Sequence, residues 1–204
     1  MNDLLKLMLS RRDVRGNSFL PIKIEEKKLE LILKSALAAP SVGYSQPWEF
    51  VLVDDKLLKE EVYNNFTNEN NKAKDIFKNK TLYQELKLEG IKEAPLNIAV
   101  LFKGDKEPVL GTTSMEKMGE YSVVCAIQNM WLMARSLDIG IGWVSILDES
   151  KVLKTLNVPK DRKLIAYLCL GYVKEFKEEP ELKTLKWKEE KELNQLLHFN
   201  TFTS

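Results

Sequence analysis

The densest group of chemically active side chains lies near the amino terminus. Arg11, Arg12 and Arg15 fall within five residues, at the end of a predicted first helix. Because guanidinium groups bind phosphate and carboxylate oxygens in bidentate fashion, the group predicts an anion clamp. The alternative is a solvated basic last turn that suits the helix dipole. Asp13 stands among these cations, which should hold its carboxyl ionised.

A second candidate ligand-binding segment is the loop Ala-Pro-Ser-Val-Gly-Tyr-Ser-Gln-Pro-Trp at residues 39–48. Its prolines fix the path of the chain, while Ser41, Gly43 and Ser45 leave backbone amides able to face a ligand. A merely structured loop is the alternative interpretation. Trp48 at its end is typical of a core anchor.

Rare residues exclude several kinds of catalysis. The single histidine, His198, lies in a polar carboxy-terminal tail and is predicted to be on the surface. A Ser-His-Asp or Cys-His device needs a histidine on a rigid element. Cys125 and Cys169 lie in apolar sequence without zinc-ligand spacing, so both are predicted to be reduced core residues and no metal is expected. An organic cofactor is therefore the expected agent of any chemistry.

Composition predicts one soluble domain over residues 1–204. The chain is 44% hydrophobic and carries 31 Lys plus Arg against 30 Asp plus Glu, a net charge of +1. This balance argues against a nucleic-acid partner. No apolar run approaches the ~20 residues of a membrane span, and no secretory signal is recognised, so the expectation is a cytoplasmic protein without a membrane partner.

The elements that must position these residues alternate along the chain. Helices are predicted at 2–12, 25–39, 121–137 and 151–156, with less regular helices in 57–92. Buried strands are predicted at 50–53, 96–102, 143–147 and 164–172, and a loop that could serve as a lid is predicted at 104–119. The pattern indicates an α+β layered domain. The 121–137 helix, apolar on nearly all sides, and the charged arm from 174 suggest a partner subunit.

Five motifs in the same order carry a family resemblance. They are Arg11-Arg12-Asp13-Val14-Arg15, the loop ending in Gln46-Pro47-Trp48, and the runs 86–97, 121–129 and 140–146. Together the chain resembles the FMN-dependent nitroreductase superfamily, and within it the 5,6-dimethylbenzimidazole synthase subgroup. The resemblance implies a central mixed sheet flanked by helices, and an intertwined homodimer with FMN at the subunit interface. It also implies that the 174–204 arm is exchanged with the partner.

The resemblance assigns roles residue by residue. The catalytic pair would be Asp13, handling protons at the ribityl–ring junction, and Ser145, near the reacting edge of the flavin. The three arginines would hold the FMN phosphate, ribityl chain and pyrimidine edge. Lys188 would take the place of a phosphate-binding arginine. The remaining cofactor contacts would be Val14, Val144 and Ile146 with, from the other subunit, Pro40, Ser41, Val42 and Tyr44.

The 111–119 segment departs from the subgroup pattern. Thr112 replaces an arginine, Lys117 a glutamate and Gly119 an aspartate, in the loop expected to cover the active site with Thr112, Thr113, Met115 and Tyr121. Two reactions therefore stay open. One is oxygen-dependent fragmentation of reduced FMN in cobamide lower-ligand synthesis. The other is NAD(P)H-dependent reduction of a nitro-aromatic or quinone with FMN as a recycled hydride carrier.

Two further classes also stay open. They are a flavin-binding module without turnover and a structural protein without cofactor. No Rossmann fingerprint is present, so no separate nicotinamide site is predicted. Physically, a cation beside the anionic edge of a reduced flavin favours that redox form, which suits an arginine cluster.

Overall fold

The computed structural model describes residues 2–202, in which four strands and seven α-helices alternate. The helices are α1 (Asp3–Ser10), α2 (Glu26–Leu37), α3 (Lys56–Ile76), α4 (Thr81–Glu85), α5 (Met118–Ser136), α6 (Glu149–Thr155) and α7 (Glu181–Thr184). The strands are β1 (Trp48–Val53), β2 (Leu96–Lys103), β3 (Ile139–Val144) and β4 (Arg162–Tyr172). The α+β prediction is confirmed.

The strands form one sheet in the order β1-β2-β4-β3, and all three pairs are antiparallel. The prediction of a mixed sheet is therefore wrong for the strands of residues 2–202. One isolated parallel bridge joins Asp13, which lies outside the strands, to Ile141 at the β3 edge. That bridge attaches the arginine-rich segment to the sheet. The edge strand β3 thus carries the segment with the densest charge.

Helices cover both faces of the sheet, because its strands alternate between two cores. On β2, Ile98 and Val100 pack into a cluster with α2 and α5, while Ala99 and Leu101 face a second cluster with α3 and α6. The helix α1 starts at the predicted cap, Asn2, whose side chain accepts the N–H groups of residues 4 and 5. The helices α3 and α4 supply the irregular helical region expected from 57–92.

The predicted start of the third strand is wrong. The strand begins at Ile139, four residues before the prediction, and ends at Val144. The missed residues include Gly140 and Gly142, and both glycines lie in the strand where neighbouring segments of the chain approach closely. A Cβ on Gly140 would lie 2.8 Å from Cγ2 of Val14. Glycine here serves packing and not turn formation.

The core prediction holds for one of the two cysteines and not for the other. Cys169 is fully buried in β4, and burial raises the pKa of its thiol, whereas Cys125 is exposed on α5. The core prediction for Cys125 is wrong, because α5 leaves one face outside the sheet contact, with Tyr121 and Val124 also exposed. His198 is exposed as predicted and stacks on Phe202 at 4.1 Å. Within residues 2–202, no helix is long and apolar enough to cross a membrane.

Candidate active site

The arginine-rich segment is fastened to β3 by backbone and side-chain hydrogen bonds. The N–H of Val14 donates to the carbonyl of Ile141 at 3.0 Å, and the N–H of Trp143 donates to Oδ1 of Asp13 at 3.0 Å. Gly142 lies between these contacts, and a Cβ there would overlap the carbonyl oxygen of Val14. The segment can approach the strand only because position 142 has no side chain.

The guanidinium of Arg11 is held by stacking and keeps its donors available. Its central carbon lies 4.7 Å from the ring centroid of Trp131 on α5, a cation–π contact. Among residues 2–202, none of its N–H groups has a hydrogen-bond acceptor. Burial lowers the pKa of Arg11, although the nearby Asp13 opposes this shift. Arg11 is therefore an oriented cation that can accept an anionic ligand.

Arg12 differs from Arg11, since its donors bind carbonyl oxygens of the protein. Its Nε donates to the carbonyl of Lys177 at 2.8 Å, and Nη2 donates to that of Glu178. Its Nη1 donates to the carbonyls of Leu9 and Arg11 at 2.6 and 2.7 Å. In this arrangement Arg12 binds the carboxy-terminal arm and not an anion.

Arg15 links the segment to the chain before β2. Its Nη1 donates to the carbonyl of Leu88 at 2.9 Å, while Nη2 forms an ion pair with Asp13. The N–H of Gly16 donates to the carbonyl of Glu89 at 2.8 Å. Residues 86–97, one of the five sequence motifs, therefore support the arginine segment from the side opposite α5.

The carboxyl of Asp13 is subject to opposing influences. Burial is the largest influence and raises its pKa, while Arg15, the Trp143 N–H and Arg11 lower it. Glu181 from the arm adds to the rise. Two of the three arginines therefore favour the ionised carboxylate as expected, but desolvation outweighs them and the net shift of the pKa is upward. Arg12 bonds to backbone carbonyls and not to this carboxyl.

These residues line a cavity of about 350 Å³. Its inner wall contains the predicted residues Arg11, Arg12, Asp13, Val14 and Arg15, and its outer wall is formed by the arm. The remaining lining residues are Met8, Leu9, Ser18, Glu175, Phe176, Lys177, Pro180, Glu181 and Leu182. The cavity joins cationic groups to an apolar surface, which is the composition of a site for a charged aromatic ligand.

The 39–48 loop contributes to a different cavity, of about 370 Å³, beside the 104–117 loop. The N–H of Val42 donates to Oγ of Ser122 at 3.0 Å, and Oγ of Ser41 accepts the N–H of Gln46 at 3.1 Å. Pro40 is exposed, and Tyr44 is 83% exposed. Within one chain these residues do not line the arginine cavity.

Of the four predicted lid residues, Thr112 lines that second cavity and the other three do not. Thr112 lines it, and its Oγ1 donates to the carbonyl of Val109 at 2.9 Å. Thr113, Met115 and Tyr121 are exposed. Gly119 also lines the cavity and packs under the ring of Phe102, where a Cβ would lie 2.6 Å from Cε2.

The last predicted residues lie outside the lining of the arginine cavity. Val144 is buried at the end of β3, Ile146 is half-buried and Ser145 is exposed between them, two residues beyond the Trp143 amide that binds Asp13. Lys188 is exposed on the arm. Their assigned contacts with a flavin stay predictions.

Sequence reasoning missed two residues of α5 that fix this site. Trp131 stacks on Arg11, and its indole N–H donates to the carbonyl of Arg12 at 3.1 Å. Arg135, one turn later, donates to the carbonyl of Ser10 at 3.2 Å and stacks on Phe176 at 4.0 Å. The i, i+4 spacing of an aromatic and an arginine on an otherwise apolar helix was the available signal.

Comparison with known proteins agrees with this fold. The model of the nitroreductase family matches residues 8–172. The chain belongs to the nitroreductase family. The matched range includes the arginine segment and ends at the last residue of β4, so the arm lies beyond it.

Two relatives of this chain carry the same name, and a more distant one carries another. The chain is 42% identical over 181 residues to a 5,6-dimethylbenzimidazole synthase of Rhodospirillum rubrum, covering 87% of this chain and 85% of the relative. It is 37% identical to a protein of the same name from Rhodobacter capsulatus, covering 91% of each. A putative NADH dehydrogenase/NAD(P)H nitroreductase of Archaeoglobus fulgidus is 26% identical over 87% of this chain and 90% of its own.

Solved structures support the fold. Nitroreductase A of Vibrio parahaemolyticus superposes with a TM-score of 0.75 at 20% identity, over 100% of this chain and 78% of that chain. Iodotyrosine deiodinase bound to FMN and 3-iodo-L-tyrosine superposes with a TM-score of 0.75 at 24% identity, over 98% and 100%.

Proposed function

We propose that the arginine cavity binds FMN, and that Arg11 is its principal anion ligand. The observation that carries this proposal is the oriented guanidinium of Arg11, whose donors have no acceptor among residues 2–202. Arg11 is half-buried, and a partly desolvated guanidinium without acceptors is stabilised when a ligand supplies an anion. Iodotyrosine deiodinase, which has a similar fold, binds FMN, an anionic ligand with a phosphate and an aromatic ring system.

The residues present fit such a group. Arg11 and Arg15 supply positive charge, while Met8, Leu9, Val14 and Phe176 supply an apolar surface for a ring. The segment reaches its position because Gly142 admits the Val14 carbonyl. When bound, FMN supplies the redox chemistry; the protein contributes binding, orientation and charge.

We propose further that the chain is a 5,6-dimethylbenzimidazole synthase, for which reduced FMN is the substrate and oxygen the co-substrate. Support comes from the two relatives of that name that match almost the whole chain. In this reaction Asp13 would hold and transfer a proton. Its raised pKa brings the carboxyl closer to neutral pH, while Trp143 and Arg15 fix its two oxygens.

The complete site would be built in a homodimer acting in the cytoplasm. Within one chain the 39–48 loop and the arginine cavity are separate, so contact of both with one flavin requires a second copy. Apolar side chains are exposed on α1, α2 and the distal arm, among them Leu4, Leu31 and Phe199. We propose that the exchanged part of the arm is its distal half, from Lys188 onward.

The decisive experiment incubates the purified chain with excess reduced FMN in air and separates the products by chromatography. Dimethylbenzimidazole in stoichiometric excess over protein is expected. A colourless protein that does not bind micromolar FMN would remove the flavin proposal altogether. Size-exclusion chromatography with light scattering tests the dimer in the same preparation.

A second candidate is an NAD(P)H-dependent nitroreductase or quinone reductase that recycles FMN. The observation in its favour is the altered loop, with Thr112 and Gly119 lining an open cavity in place of the subgroup's charged residues. Rapid NADH or NADPH oxidation by a nitro-aromatic, without dimethylbenzimidazole from reduced FMN, would decide for this candidate.

A further inference from the structure

We propose that residues 175–187 form a strap that closes the arginine cavity and gates ligand exchange, with Arg12 as its latch. The inference rests on the proposed function in one respect, since it takes FMN as the ligand of that cavity. The strap is defined here as the segment from Glu175 to Trp187. It contains α7 and precedes the distal arm.

The strap has one set of hydrogen bonds to the rest of the chain. Within residues 2–202, the only hydrogen bonds between residues 175–187 and residues outside the arm are those from Arg12 to the carbonyls of Lys177 and Glu178. The other hydrogen bonds of the strap are internal, such as Lys183 N–H to the carbonyl of Pro180 at 3.0 Å. A single side chain therefore determines whether the strap is hydrogen-bonded to the site.

Ring contacts fix the strap at its two ends. At the first, Phe176 lies under the guanidinium of Arg135, at 4.0 Å. At the second, the ring of Trp187 packs on those of Phe77 and Tyr83, with centroid distances of 5.9 and 6.3 Å. The Nζ of Lys80 lies 4.4 Å from the centroid of the Trp187 ring. Between these ends, Lys177, Pro180, Glu181 and Leu182 line the cavity.

The middle of the strap forms the outer wall of the site. Pro180, Glu181 and Leu182 line the cavity opposite the arginine segment. Glu175 and Glu181 add negative charge to the lining, and Glu181 is close enough to Asp13 to act on its pKa. In the proposed gate, a bulky anionic ligand enters and leaves when the Arg12 hydrogen bonds break and this part of the strap moves away from the arginine segment.

The strap also lies outside the part of the chain that the family model matches, which ends at residue 172. The arginine segment that lines the cavity lies within the range matched by the family model, whereas the strap residues that line it lie beyond that range. Most strap residues are exposed, and few apolar contacts hold the segment between its ends. Such segments open at lower free energy than the core.

Rapid-mixing measurements of FMN fluorescence test the gate in the full-length protein. A gate slows entry and release together, so Arg12→Ala should raise both rate constants by about 10-fold or more, from the loss of two charge-assisted hydrogen bonds, with a smaller change in Kd. Trp187 does not line the cavity, and Trp187→Ala should also raise the rate constants of both FMN entry and FMN release. Lys186→Ala, within the strap but without a side-chain hydrogen bond or ion pair among residues 2–202, is the matched control.

The results distinguish a gate from a direct ligand role of Arg12. If Arg12→Ala speeds release alone and Trp187→Ala changes neither rate, Arg12 is a direct ligand and the gate is overturned. If wild type binds no FMN, the proposed function fails, and the strap is judged by amide hydrogen exchange of the apo chain. Both substitutions must then raise exchange across 175–187, and unchanged exchange overturns the strap as well.

Discussion

The arginine cavity and the cavity beside the 104–117 loop are of similar volume but differently constructed. In the first, Asp13 and Val14 are bonded to β3, and Arg11 is stacked on Trp131 of α5. In the second, much of the lining is an exposed loop, with Thr112 bonded only to its own neighbour Val109. The comparison teaches that one region is preorganised for binding, while the other can vary without disturbing it.

The largest effect should come from breaking the close contact beneath the arginine segment. Gly142→Ala places a methyl group against the carbonyl of Val14, which belongs to backbone and cannot move aside. We expect FMN binding to be lost and stability to fall by about 1–3 kcal/mol or more, measured by flavin titration and urea denaturation. Gly104→Ala is the control in the other region, because its nearest atoms lie 3.7 Å away. Equal behaviour of the two variants would contradict the comparison.

Asp13→Asn should abolish formation of dimethylbenzimidazole while FMN stays bound. The amide keeps the shape of the side chain but cannot exchange a proton as the carboxyl does. Product chromatography and flavin titration on the same sample separate the two effects. Asp161→Asn, which alters another arginine-paired carboxyl far from the site, should leave the yield unchanged. A normal yield from Asp13→Asn would remove this residue from the mechanism.

Arg11→Ala should weaken FMN binding by about 10- to 100-fold, through loss of a charge-assisted contact. The reason is that this guanidinium, unlike that of Arg12, has its donors available. Titration of the apo protein with FMN measures the change. Lys34→Ala, an exposed cation on α2, controls for net charge. Affinity equal to wild type would show that the anion lies elsewhere.

Thr112→Arg restores the residue of the synthase pattern in the second region. We expect FMN affinity to stay within about threefold of wild type, as for surface changes away from the binding groups. The ratio of dimethylbenzimidazole formed to NAD(P)H oxidised should rise. A large loss of affinity instead would show that the loop belongs to the preorganised region.

The smallest effect concerns pH and stability of the apo chain. Burial raises the pKa of Asp13, so the folded state binds this proton more tightly than the unfolded state. Its contribution to the free energy of unfolding is therefore fully present below the unfolded pKa and is lost as pH rises through the folded pKa. The difference in the free energy of unfolding between wild type and Asp13→Asn is measured by urea denaturation from pH 7 downward. This difference should move in favour of wild type as the pH falls. A flat difference would contradict the raised pKa.

Charge clustering and hydrophobic period were enough to predict the sheet, its helices and the composition of the inner cavity wall. The start of β3 was not predictable, because Gly140 and Gly142 suggest a turn until the chain packed against them is known. The net direction of the pKa shift of Asp13 was also not predictable. It depends on how much water folding removes and on where Arg12 turns, and neither is local in sequence. The contact of Trp131 with Arg11 was not predictable either, since periodicity does not indicate which cation a ring will meet.

The hydrogen bond from the Trp143 amide to Asp13 has a consequence for sequence variation. A peptide N–H is present whatever side chain occupies position 143, so replacements there leave the acid's anchor intact. Proline alone among the standard residues would remove this donor. Other substitutions at position 143 therefore leave the orientation of the Asp13 carboxylate unchanged. The indole of Trp143 can be replaced without loss of this hydrogen bond.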